Sequence, residues 1–149
     1  MAPATAADKI YSTASFLPDG RVAVAVGRGE TLTLRLYDRQ GKPLRELPLG
    51  RGRWAWLGSP WSDRQLPYTA SVRGSESWQG ELRVVDLTSG AVRTLGGRVA
   101  PLTGAAPWWP GEDRVAAGAV ASRLFRTREN VIVRIDDAGR QTRLVPRSR

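Results

Sequence analysis

"FLPDGRVAVAV", residues 16–26, sets a tight polar turn between an apolar segment and a run of small or branched apolar residues. The fold depends on whether this stretch stands alone or recurs. It recurs. "PWSDRQLPYTASV" from Pro60 and "PWWPGEDRVAAGAV" from Pro107 repeat the same order: an aromatic or proline, a polar turn with aspartate, then an apolar segment. A second landmark follows each of the three, in "RLYDRQGKPLREL" from Arg35, "RVVDLTSGAVRTL" from Arg83 and "VRIDDAGRQTRLV" from Val133. The anchoring aspartates Asp38, Asp86 and Asp136 lie 48 and 50 residues apart, and Asp19, Asp63 and Asp113 precede them by 19, 23 and 23 residues. Two landmarks keeping step through three copies define an internal repeat.

Within the repeat the periodicity is that of strands. Leu32, Leu34 and Leu36 alternate with Thr33, Arg35 and Tyr37. Val131, Val133 and Ile135 alternate in the same way with Ile132, Arg134 and Asp136. Alternation over six or so residues marks a strand with unequal faces. Helical spacing is absent, and 16 glycines and 10 prolines favour turns. In the first unit the predicted strands are 11–17, 21–27, 31–37 and 43–47. The second, "VAVAV", is apolar on both faces, as suits a strand covered on both sides. The fourth, "PLREL", carries the charge expected of an outer edge. The three units span about 10–49, 52–96 and 98–146 of one domain. Four short antiparallel strands recurring at just under fifty residues are the pattern of β-propeller blades.

The residues "FLPDGRVAVAV…LRLYDRQGKPLREL" resemble the repeat of TolB-like and WD-type β-propellers, with their aromatic-x-Pro-Asp-Gly turn and later Asp-x-x-Gly hairpin. The second and third units depart from that turn, with "WSDRQ" and "WPGEDR". The resemblance implies an all-β fold of three four-stranded antiparallel β-propeller-type blades. It implies no single function, because propellers serve as binding platforms, accessory domains and enzymes. Closed propellers use about four to eight blades, and a repeat cannot bury its face alone. Three blades therefore need completion. The expected solution is a homodimer in which a second chain completes a six-bladed ring. The alternatives are a fragment of a larger propeller, or three sheets collapsed into another arrangement.

Composition narrows the function classes. The 149-residue chain has no histidine and no cysteine, which excludes Ser–His–Asp, Cys–His and imidazole or thiolate metal sites. The acidic pairs Glu112–Asp113 and Asp136–Asp137 fall in turns, where such side chains bond their own backbone. "GRGETL" from Gly27 lacks the third glycine of a phosphate loop and reads as a hairpin. The chain is expected to be non-catalytic, with no cofactor and no metal. No apolar run is long enough to span a membrane. "MAPATAADKI" lacks the apolar core of a signal peptide, leaving cytoplasmic and exported locations both open.

The net charge of +9 is carried by 21 arginines and 2 lysines spread along the chain. A protein partner is the favoured ligand, with nucleic acid or an anionic surface as the alternative. Of the six tryptophans, Trp54, Trp56, Trp61, Trp108 and Trp109 read as blade packing, whereas Trp78 lies in the polar "GSESWQG" stretch. "ASRLFRTREN" in the third unit reads as a long inserted loop that sets Arg123, Arg126 and Arg128 around Leu124 and Phe125. Trp78, Arg123, Leu124, Phe125, Arg126 and Arg128 are therefore the candidate partner-binding residues. A solvated loop is the bland alternative.

Overall fold

The computed structural model describes residues 9–10, 14–71, 80–101 and 123–144. Every regular element among them is a strand. The first antiparallel sheet holds β1 (Lys9–Ile10), β2 (Ser15–Phe16), β3 (Val22–Arg28), β4 (Thr31–Tyr37) and β5 (Pro43–Arg51). β1 and β2 both pair with β3, Ile10 opposite Val26 and Phe16 opposite Val22, so the sheet is four ranks wide. This is the meander expected of the first unit. Gly29 and Glu30 close the β3–β4 hairpin, with Gly29 at φ 61°, which settles "GRGETL" as a turn.

The second sheet runs in the order β12 (Gln141–Arg143), β11 (Ile132–Ile135), β10 (Leu124–Thr127), β9 (Val92–Pro101), β8 (Gly80–Asp86), β7 (Gln65–Ala70), β6 (Ala55–Leu57). The expected three separate four-stranded sheets are thus two sheets among the described residues. The reason lies in β9. It pairs with β8 from Val92 opposite Val85 to Val99 opposite Gly80, with the register shifting on both sides of Leu82. Its last residues, Val99–Pro101, also pair with β10. Within the β8 pairing Gly96 and Gly97 adopt φ 83° and 78°, a left-handed bend that side chains with a Cβ resist. One strand therefore ends the second unit and begins the third.

The bend folds the third unit back over the second. Pro101 lies against Gly58 at the far edge of the second unit, where a Cβ added to the glycine would sit 3.6 Å from the Pro101 Cβ. Ser15 Oγ donates to the Gly58 carbonyl from the other side at 3.0 Å. The first ranks of the three units thus meet at Ser15, Gly58 and Pro101, 43 residues apart each time. Neither sheet closes on itself among the described residues. No helix among them is long and apolar enough to cross a membrane.

Alternation decides which side chains fill the joints. Ala23, Ala25, Leu32, Leu34, Leu36, Leu47 and Leu49 face Ala55, Leu57, Leu66, Tyr68 and Val85 in one buried cluster. The opposite face of β8 presents Leu82, which joins Val99, Phe125, Val133 and Ile135 in a second cluster. Tyr68 ties the first joint: its hydroxyl donates to the Leu49 carbonyl at 2.7 Å. Burial pushes that phenol up to about 12.

The inserted loop expected at 121–130 is corrected. Leu124–Thr127 is strand β10, and the turn to β11 closes through Asn130 at φ 62°. Phe125 is 1% exposed, so the segment is held by core burial that a loop reading leaves out. The strand expected from "DRVAAGAV" lies outside the described residues.

Candidate functional site

β10 splits the candidate residues by its pleat. Arg123 and Phe125 point toward the second unit, and Leu124 and Arg126 point away from it. Phe125 meets the Trp61 ring edge to face, with centroids 6.5 Å apart at 84°. The Arg123 guanidinium lies over the same Trp61 ring, 4.0 Å from its centroid, and pairs with Asp137 at 2.6 Å. A cation on the π-face and an aromatic at the edge use both signs of the ring quadrupole. These two residues therefore clip the third unit to the loop after β6. Arg123 and Phe125 serve an internal joint, Leu124 is half-buried, and Arg126 and Arg128 are exposed. Trp78 lies outside the described residues, as do Trp108, Trp109 and the pair Glu112–Asp113.

The "RGRWAW" segment places Trp54 and Trp56 on one face of the chain, rings 5.9 Å apart and tilted by 51°. Both are half-buried. The core positions between and after them are Ala55 and Leu57. Glu30 approaches Arg53 at 3.9 Å, with both side chains largely exposed.

The anchoring aspartates are turn locks. Asp38 Oδ1 accepts from the backbone N–H of Gln40 and Lys42. Asp86 Oδ1 accepts from Thr88 and Ser89, and Asp136 Oδ1 from Ala138 and Arg140. The Ser89 and Thr88 N–H groups hold the Asp86 carboxyl below the usual carboxylate range, and the Arg140 N–H does the same for Asp136. Asp19 is lowered by the N–H of Arg21. Groups held ionised in this way are poor proton donors near neutral pH.

A set of arginines, unsuspected from alternation alone, joins the units. Arg45 Nη1 donates to the carbonyls of Leu87 and Thr88, in the anchoring turn of the second unit. Arg93 Nη1 donates to the Asp137 carbonyl in the corresponding turn of the third. Both lie seven residues after an anchoring aspartate. Arg83 reaches the other way: paired to Glu81 at 2.9 Å, it donates from Nη1 to the carbonyls of Leu49 and Arg51 on β5. The first and second units thus hand guanidinium N–H groups to a neighbour's backbone. The clue was the fixed distance from the aspartates.

No family model matches the sequence, and no curated protein aligns with it significantly.

Proposed function

We propose that this chain is a three-unit section of a β-propeller-type scaffold that self-associates into a six-bladed ring and acts as a non-catalytic platform for a protein partner. The observation that carries the reading is the meeting of the three first ranks at Ser15, Gly58 and Pro101. First ranks that meet, in meanders joined to one another by arginine clamps, support a blade-like arrangement. The aspartates lock turns, and the sequence lacks histidine and cysteine, so the reading assigns no catalytic group.

Light scattering over a dilution series tests it. A mass double the 16.3 kDa chain is expected. A folded monomer at all concentrations overturns the ring. Binding to nucleic acid or an anionic surface is the second reading, favoured by exposed Arg126, Arg128 and Arg134 on one unit. Its mark is affinity that falls steeply with added salt, whereas recognition built on aromatics changes little.

A further inference from the structure

We infer that the outer face of the third unit docks the chain on an anionic lipid bilayer, its arginines meeting the phosphates and its aliphatic side chains the headgroup boundary. The inference rests on the second reading above, a basic chain meeting an anionic surface, and gives it a place and a ligand class.

β10, β11 and β12 set six side chains on this face in two ranks. One rank is Arg126, Ile132 and Leu144, and the other is Leu124, Arg134 and Thr142. Residues opposite one another, or two apart along a strand, share a face. The face is open: Arg126, Arg134 and Thr142 are exposed, Ile132 and Leu144 are 42% and 45% exposed, and Leu124 is half-buried. None of the six is acidic. Arg128 is exposed at the β10–β11 turn beside Glu129. At the opposite turn Asp136 and Asp137 are engaged by Arg140 and Arg123.

The repeat shows how far this face departs from its equivalents. Four residues before the anchoring aspartate stand Leu34, Leu82 and Ile132, and two residues before it stand Leu36, Val84 and Arg134. In the first two units all four side chains are buried. In the third both are exposed, and one is a guanidinium that offers donors to oxygen acceptors. Exposed apolar residues also occur singly at Phe16, Leu44 and Val92. Ile132 and Leu144 differ from them in sitting side by side, the Leu144 N–H donating to the Ile132 carbonyl at 3.0 Å, with arginines in both ranks.

That mixture selects among anionic partners. Single-stranded nucleic acid is held by stacking on aromatic rings, and the face has none. A stable protein interface engages about 20–30 residues a side, far more than this face supplies. A bilayer needs neither. Each arginine near its surface adds to affinity, aliphatic side chains enter the headgroup boundary, and the chain's net charge of +9 attracts it from a distance. A second copy closing the ring would cover the same face, so ring and bilayer compete for it.

Cosedimentation of the dilute chain with vesicles is the test. Binding is expected to vesicles of phosphatidylglycerol and phosphatidylcholine and not to phosphatidylcholine alone. Arg126→Glu with Arg134→Glu is expected to weaken it at least about thirtyfold. Lys42→Glu with Arg51→Glu, the same charge change at exposed positions of the first unit, should weaken it much less. Equal losses overturn the face, because net charge alone then explains binding. The absence of native cysteine allows a second readout. A polarity-sensitive fluorophore on Ile132→Cys is expected to shift to the blue on the anionic vesicles. Sedimentation without that shift overturns the face while the second reading stands. No sedimentation with either vesicle overturns the bilayer; binding to a DNA duplex would then keep the second reading, and its absence would end both.

Discussion

The two joints inside this chain are built from the same repeat yet differ in chemistry. The first is aliphatic: a sheet face of leucines and alanines buries against a second face, and one tyrosine bonds across it. The second has, among the described residues, a smaller buried cluster of Leu82, Val99, Phe125, Val133 and Ile135, supplemented by Trp61 and the Arg123 clip. What separates them is connectivity. The first joint lies between two sheets that share no strand, so only side chains hold it. The second is bridged by β9, whose backbone pairs into both units. Strand pairing there takes over part of what apolar area does at the first joint.

The comparison can be broken by truncation on each side. Leu34→Ala is expected to cost about 4 kcal/mol, because Leu34 is fully buried among packed leucines that cannot close the cavity. Phe125→Ala should cost less despite removing more atoms, about 3 kcal/mol, since Arg123 and half-buried Trp61 can relax toward the gap. Chemical denaturation of both variants measures the two values, and equal or reversed losses would end the distinction. Arg123→Gln, which removes the charge over Trp61 and the pair to Asp137, is expected to cost about 1 kcal/mol. Tyr68→Phe should also cost about 1 kcal/mol, a modest loss because Arg83 still donates to the Leu49 carbonyl at 3.3 Å.

The smallest effect is that of pH. Asp19, Asp86 and Asp136 are all held below their ordinary value of 3.8 in the folded chain. A depressed folded value means the unfolded chain binds protons first as the pH falls. Their contribution is complete above the unfolded value and is lost as the pH drops below about 4 through the folded values. Thermal unfolding followed from neutral pH downward should therefore hold steady and then decline. Asp136→Asn should flatten that decline in the third unit, and Asp86→Asn in the second. A decline that begins near pH 6 would assign acid sensitivity to other groups.

Much of this was legible along the chain because strands announce themselves by alternation. Leu32, Leu34 and Leu36 are at most 1% exposed, and Val133 and Ile135 are buried while Ile132 and Arg134 are not. The anchoring aspartates could be placed in turns because an Asx side chain bonds its own backbone, a purely local property. The loop read at 121–130 failed for a reason of range. Nothing within "ASRLFRTREN" says that Phe125 finds Trp61, which is supplied by a different unit of the repeat.

Local chemistry thus settled the all-β class, the turns at the anchoring aspartates and the inward face of strands such as β4 and β11, since period and turn residues act over a few positions. Tertiary structure decided which faces meet, that the bend at Gly96–Gly97 merges two units in one sheet, and that Arg45, Arg83 and Arg93 bind neighbouring units rather than solvent. Those outcomes depend on groups some 30 to 60 residues apart, and alternation carries no information over that distance.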